Sequence, residues 1–220
     1  MRTIAIYTFK REGEPMPAQP YNALYWKARG FDFICFVTRK GDLPDFDGVW
    51  YIEELPISWK DEGLNAVIPK INPQSVLEGY DYSLWLDSSV AITSDAIYEH
   101  CKQLQDRGVL YAGIKHRTIH SVYSYAWKVW REGKEPFKVV RKAVGFLIRK
   151  GLLPAAGFHD TSVMFRCHEN EAVLEFDRWW WECLLTRAGS HYDQLMHIFA
   201  LVDTPSLKWE YMDPSGLDIK

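Results

Sequence analysis

The chain has 220 residues, enough for one domain that buries most of the surface its unfolded form would expose, so neither disulfides nor a structural metal are needed for stability. A net charge of −3 argues against a globally basic nucleic-acid binder. The cysteines, Cys35, Cys101, Cys167 and Cys183, are far apart and form no Cys-x-x-Cys pair, which argues against a zinc module or a secreted disulfide scaffold and for reduced thiols.

The first apolar run, Thr3–Phe9, is too short for a signal segment and reads as a buried strand, followed by a Gly/Pro-rich loop from Arg11 to Pro20. Tyr21–Arg29 suits a short helix ended by Gly30. Phe31–Thr38 is a second strand and Gly48–Leu55 a third. Asp61–Val67 reads as helical, limited by Pro69 and Pro73. Tyr82–Asp87 is a buried strand that stops at an acid followed by two serines. Thr93 or Ser94 caps a helix over Asp95–Arg107 that Gly108 ends, and Val109–Ile114 is the next strand. Residues 121–150 are helical with a break at Gly133–Pro136. Ser162–Arg166 is a strand, Asn170–Arg187 a Trp-rich helix and Asp193–Val202 a shorter helix after a Gly189–Ser190 turn. Lys208–Met212 adds an edge strand.

Strands alternating with helices predict an α/β sheet covered on both faces, in a single domain over 1–220 with a helical insertion at about 120–150. No stretch reaches the roughly 18 uncharged apolar residues of a membrane span. A cytoplasmic protein is expected.

Ligands of open α/β sheets sit beyond the carboxyl ends of the strands. Asp87 stands at such an end, where a carboxylate can hold a divalent cation and the cation a diphosphate leaving group. Capping a turn with Ser88 and Ser89 explains the same residue, and its own strand does not decide between the two.

Lys70-Ile-Asn-Pro73, Tyr80–Ile92, the stretch from Lys115-His116 to Tyr123 and Ala126, Asp160–Arg166, Trp180-Trp181-Glu182 and Asp193-Gln194 form an ordered series. This series resembles one family of GT-A-like glycosyltransferases, formerly filed as a domain of unknown function. The family includes plant mucilage-related proteins and bacterial members associated with surface polysaccharides. Departures are Gln74 in place of a histidine, Ser124-Tyr125 in place of two glutamates, Tyr192 in place of an arginine, and the spacing around Arg117 and Ile119.

The resemblance implies a GT-A-like (Rossmann-like) fold and transfer of a sugar, UDP-linked in its donor, to a glycan or lipid-linked glycan in surface-polysaccharide assembly. It implies Asp87 as anchor of Mn²⁺ or Mg²⁺, with Lys70, His116 and Thr8 on the donor side. Asp160, Asp193 and Gln194 would serve catalysis, and Trp180, Trp181 and Glu182 the acceptor. The triplet Asp87-Ser88-Ser89 lacks the second acid of Asp-x-Asp. Either the metal takes other ligands or a cation such as Lys70 replaces it.

Blander readings accompany these. Asp193 also suits a first-turn acid at a helix dipole. His116 and His120, four apart, would share a helix face as zinc ligands do. Trp179-Trp180-Trp181 spreads over some 200° of a helix, so at least one ring should lie at a groove or rim. The segment 128–150 holds eight Lys/Arg against two Glu, with Phe137, Val140, Val144 and Leu147 at helical spacing. That pattern suits contact with an anionic membrane surface, or a helix packed on the sheet with its charges solvated. Rival functions are a non-catalytic glycan- or partner-binding fold-mate and, with no Gly-x-Ser-x-Gly or zincin motif, a hydrolase.

Overall fold

A computed structural model describes residues 3–41, 43–154, 158–188 and 193–219, the side chains of 186–188 excepted. The first apolar runs become β1 (Ile4–Lys10) and β2 (Phe31–Val37), joined through the short helix α1 (Ala23–Lys27). A two-residue β3 (Phe46–Asp47) turns back onto β4 (Trp50–Glu54). After α2 (Glu62–Ile71) come β5 (Tyr82–Leu86), β6 (Val90–Ile92), α3 (Ala96–Asp106) and β7 (Tyr111–Lys115). The helical segment divides into α4 (Val122–Arg131) and α5 (Phe137–Arg149), with Gly133 at φ 68° in the break. β8 (His159–Cys167), α6 (Glu171–Glu182), a π-helical turn (Cys183–Ala188), α7 (Asp193–Asp203), β9 (Trp209–Tyr211) and β10 (Leu217–Ile219) complete the order. The expected Gly189–Ser190 turn and Tyr192 lie outside the described residues.

Eight strands form one mixed sheet in the order β3-β4-β2-β1-β5-β8-β7-β9, while β6 and β10 pair as a separate ribbon. β1 runs parallel to β2 and β5, and β8 runs antiparallel to both β5 and β7. Alternate residues of β1 sort to opposite faces, as a period of two requires. Ala5, Tyr7 and Phe9 pack with α2 and α4–α7, whereas Ile4 and Ile6 pack with α1 and α3.

Helix α2 corrects the expected stop before Pro69, because it continues to Ile71 with the proline inside. An interior proline costs about 3 kcal/mol. Burial of Val67, Ile68 and Ile71 offsets this, as does Arg166, whose guanidinium donates to the Lys70 carbonyl at 2.8 Å. The helix starts where Asp61 accepts from the backbone N–H groups of Gly63 and Leu64.

Among the described residues three histidines are buried. His159 lies among Trp209, Tyr211 and His197, His168 meets the Ser83 hydroxyl at 2.7 Å, and His197 meets the Tyr111 hydroxyl. Burial pushes His159 and His168 down to about 4 and His197 well below the usual range. The unfolded chain protonates them near 6.5. Their contribution is therefore complete above pH 6.5 and is lost as pH falls towards 4. Asp177, pushed up by burial to about 6, acts in the opposite sense and offsets part of this. A net loss of about 1–2 kcal/mol is expected between pH 7 and 6. Urea midpoints at the two pH values test this, and an unchanged midpoint would mean that the folded chain carries these histidines protonated.

Candidate functional site

The carboxyl ends of β1 and β5 lie side by side, and a cavity of about 400 Å³ opens there. Its wall includes Phe9, Arg11, Lys70, Trp85, Asp87 and Asp193. Asp87 is fixed by its own backbone N–H, which donates to the Ser162 carbonyl at 2.8 Å, and by the Trp85 indole N–H, which donates to Oδ1 at 2.7 Å. Lys70, in the last turn of α2, reaches Asp87 Oδ1 at 3.1 Å and Asp193 Oδ2 at 2.6 Å. One ammonium thus bridges two carboxylates from elements far apart in sequence.

Burial alone would lower the Lys70 pKa. Asp193 and Asp87 outweigh that and hold the ammonium above the ordinary lysine value, so it is charged at every physiological pH. Burial pushes the Asp87 carboxyl up, against the pull of Lys70. Asp87 keeps 38% of its side chain exposed, while Lys70 is almost wholly covered. The anion faces the cleft and the cation supports it from behind.

The start of α7 is zipped to the start of β8. The Thr161 hydroxyl donates to Asp193 Oδ2 at 3.2 Å, and the Gln194 amide donates to Asp160 Oδ1 at 3.4 Å, which also accepts from the Ser162 N–H at 3.0 Å. Lys70, Asp87, Asp160, Asp193 and Gln194, expected from scattered blocks, are brought together.

Other expected residues stand elsewhere. Thr8 is buried on β1 and is absent from the cavity wall, because the strand's alternation turns Phe9 towards the cleft and Thr8 to the opposite face. His116 lies at the end of β7, where Nδ1 accepts from the N–H groups of Thr118 and Ile119 and the ring packs against Phe158 and Tyr125. It is a loop-capping group outside the cavity wall. α4 starts only at Val122, so His116 and His120 do not share a helix face. Trp180 is fully buried and cannot be an acceptor platform. Its indole N–H donates to the Asp193 carbonyl at 2.9 Å and positions the start of α7. Trp181 is half-buried against the core and Glu182 is exposed at the end of α6, neither on the cavity wall.

Several contributors escaped the sequence reading. Arg166 is fully buried and pairs with Asp177 at 2.9 Å, while the Gln74 amide donates to Asp177 at 2.7 Å. Arg166 also binds the Lys70 carbonyl, so this network holds the backbone that carries Lys70. Gln74 stands where the resembled family has histidine, and it retains an N–H donor for the buried acid. Arg11 belongs to the wall of a second cavity as well, of about 670 Å³, which includes Lys10, Arg39, Lys40, Lys60 and Trp59. Asn65 closes both ends of the Trp59 peptide, accepting from its N–H at 2.6 Å and donating to its carbonyl at 2.9 Å. Basic pairs at or just after the ends of two strands, Lys10-Arg11 and Arg39-Lys40, with Trp59-Lys60 ahead of α2, were the available signal.

The donor set at Asp87 has the chemistry of a partial divalent-ion site. Asp87, Ser88 and Ser89 offer only oxygen, which suits Mg²⁺ or Mn²⁺. Among the described residues no three His, Cys, Asp or Glu gather to hold an ion. The set fits an ion shared with the oxygens of a diphosphate, not one caged by protein alone.

Comparison with solved structures places this architecture. The apo crystal structure of mouse xyloside xylosyltransferase 1 is similar with a TM-score of 0.50 at 11% identity, covering 97% of this chain and 85% of that one. The fold is GT-A-like. A glycosyltransferase involved in the glycosylation of the major capsid of PBCV-1 is matched with a TM-score of 0.46 at 15% identity, over 96% of this chain and 82% of that one. No protein-family model matches the GT-A-like chain, and no curated protein matches its sequence. Among the described residues no helix is long and apolar enough to cross a membrane.

Proposed function

We propose that the chain is a glycosyltransferase that moves a sugar from a nucleotide-sugar, UDP-linked as the motif resemblance implies, to a hydroxyl of a glycan or lipid-linked glycan. The observation that carries this reading is the Lys70 ammonium bridging Asp87 and Asp193 in a cleft at the carboxyl ends of β1 and β5. A charged pair-and-a-half of this kind, buried on one side and open on the other, is costly unless the charges serve a ligand.

The nucleoside occupies the larger, basic cavity, and the diphosphate reaches past Arg11, on the wall the two cavities share, to Asp87 in the smaller one. When the bond from the anomeric carbon to the diphosphate oxygen breaks, its electron pair leaves with the diphosphate, and Arg11 on the cavity wall stabilises the charge that develops. A divalent ion held by Asp87, Ser88 and Ser89 would supply further neutralisation of the same leaving group. The acceptor oxygen forms the new bond, and its proton passes to Asp193, the carboxylate of the α7 start that lines the cleft. Thr161 and Lys70 orient that carboxylate, while the hydrogen bond from Gln194 to Asp160 fixes the start of α7 beside it.

Thermal shift of the purified chain against a panel of nucleotide sugars, with Mn²⁺ and with chelator, tests the reading. A rise with one donor that Asp87→Asn abolishes is expected. At a ligand concentration a hundred times Kd the stabilisation is about 2.7 kcal/mol, readily resolved. The absence of any shift, with metal or without, would leave a non-catalytic binding module as the better account.

A further inference from the structure

We propose that the α4–α5 face is a docking surface for an anionic lipid bilayer. This goes beyond the transferase reading and holds whatever reaction the cleft performs.

Packing of α4 and α5 on the core accounts for Ala126, Val129, Val140, Ala143, Phe146 and Leu147, all buried. It does not account for the rings left outside. Trp127 is 55% exposed and lies 4.5 Å from Trp130, which lies 5.3 Å from Phe137, itself 53% exposed. Three rings therefore form a continuous apolar bridge from one helix to the other. Ile148, 61% exposed, follows Phe137 by eleven residues and returns to within about 20° of the same direction on α5. The apolar line thus extends for about 16 Å along that helix.

Charge accompanies this line on one side. At about 100° per residue, Arg141, Lys138, Arg149 and Lys142 lie between roughly 40° and 140° from it, and all four are exposed. Residues 128–150 carry eight Lys/Arg against two Glu, in a chain whose net charge is −3. Of those two acids, Glu132 is engaged by Lys134 and Glu135 is buried. An otherwise acidic molecule concentrates its cations beside its exposed rings.

Exposed Trp and Phe beside a row of long cationic side chains is the arrangement of a helix at a lipid–water boundary. The rings enter the headgroup level while the cations remain among anionic headgroups. An acidic protein partner would be met by cations gathered at a point. Here they are spread along both helices, which suits a charged plane.

Co-sedimentation of the full chain with phosphatidylcholine vesicles, with and without phosphatidylserine, tests the proposal. Binding to the phosphatidylserine vesicles alone is expected, weakening as salt is raised. The variant Trp127→Ser/Phe137→Ser/Ile148→Ser is expected to reduce partitioning about tenfold or more, and so is Lys138→Glu/Arg141→Glu/Lys142→Glu, which alters only exposed side chains. Both should retain the parent's melting temperature. Binding that is equal on the two vesicles, absent from both, or unchanged in the charge-reversed variant would overturn the proposal. So would a dimer, seen by sedimentation without vesicle binding, that the ring variant dissolves.

Discussion

Asp193→Asn is expected to lower turnover by about 10²–10⁴-fold while nucleotide-sugar affinity changes little. The substitution keeps the shape of the side chain and its hydrogen bond from Thr161, but removes the proton acceptor that lines the cleft. It also leaves the Lys70 ammonium with Asp87 as its remaining carboxylate partner, at 3.1 Å. Asp160→Asn is the control, because Asp160 meets Gln194 and the Ser162 N–H but is not on the cavity wall, so its loss should be smaller. Single-turnover kinetics with calorimetric donor binding separate the two. Turnover within threefold of the parent in Asp193→Asn would reduce this residue to a first-turn acid at the dipole of α7.

Asp177→Ala is expected to destabilise the fold by about 3–5 kcal/mol. Arg166 is fully buried and Asp177 almost so; removing the carboxylate leaves a guanidinium in the core with no counter-charge and deprives the Gln74 amide of its acceptor. The double variant Arg166→Met/Asp177→Leu removes both charges and should recover much of that loss, since an apolar pair of similar volume needs no desolvation. It should not recover donor binding. Arg166 also donates to the Lys70 carbonyl, so α2 loses the tether that sets the Lys70 ammonium between Asp87 and Asp193. Urea denaturation of both variants, with thermal shift against the donor, distinguishes stability from positioning. A double variant as unstable as Asp177→Ala would show that the cost lies in packing and not in charge.

Much of this was legible in the chain. Apolar runs with their terminal acids and glycines placed β1, β2, β5 and β7, and the pause at Gly133–Pro136 separated α4 from α5 where the structure does. Local chemistry suffices for such elements. It failed at Pro69, where tertiary burial and the Arg166 tether outweigh a propensity penalty. It failed for β3, β6 and β10, whose two or three residues acquire strand geometry only from their partners.

The site divides in the same way. The strand end marked Asp87 but left turn capping equally open, and it was the ordered motif blocks that pointed to Asp87 together with Lys70, Asp160, Asp193 and Gln194. Thr8 and Trp180 were misplaced because motif position says nothing of the face a side chain occupies. Strand alternation sends Thr8 away from the cleft, and the packing of α6 encloses Trp180.

The sequence by itself determined the class of fold, the strand end that carries Asp87, and the concentration of cations over 128–150. Only the tertiary structure decided that Lys70 bridges two aspartates, that Arg166 and Asp177 hold it there, and that Trp127 and Phe137 remain outside the core. The first two join residues distant along the chain, whose contact has no counterpart in local pattern, and the third depends on which face of each helix the core covers. The Lys70 bridge exists only once the sheet order brings the carboxyl ends of β1 and β5 and the start of β8 side by side.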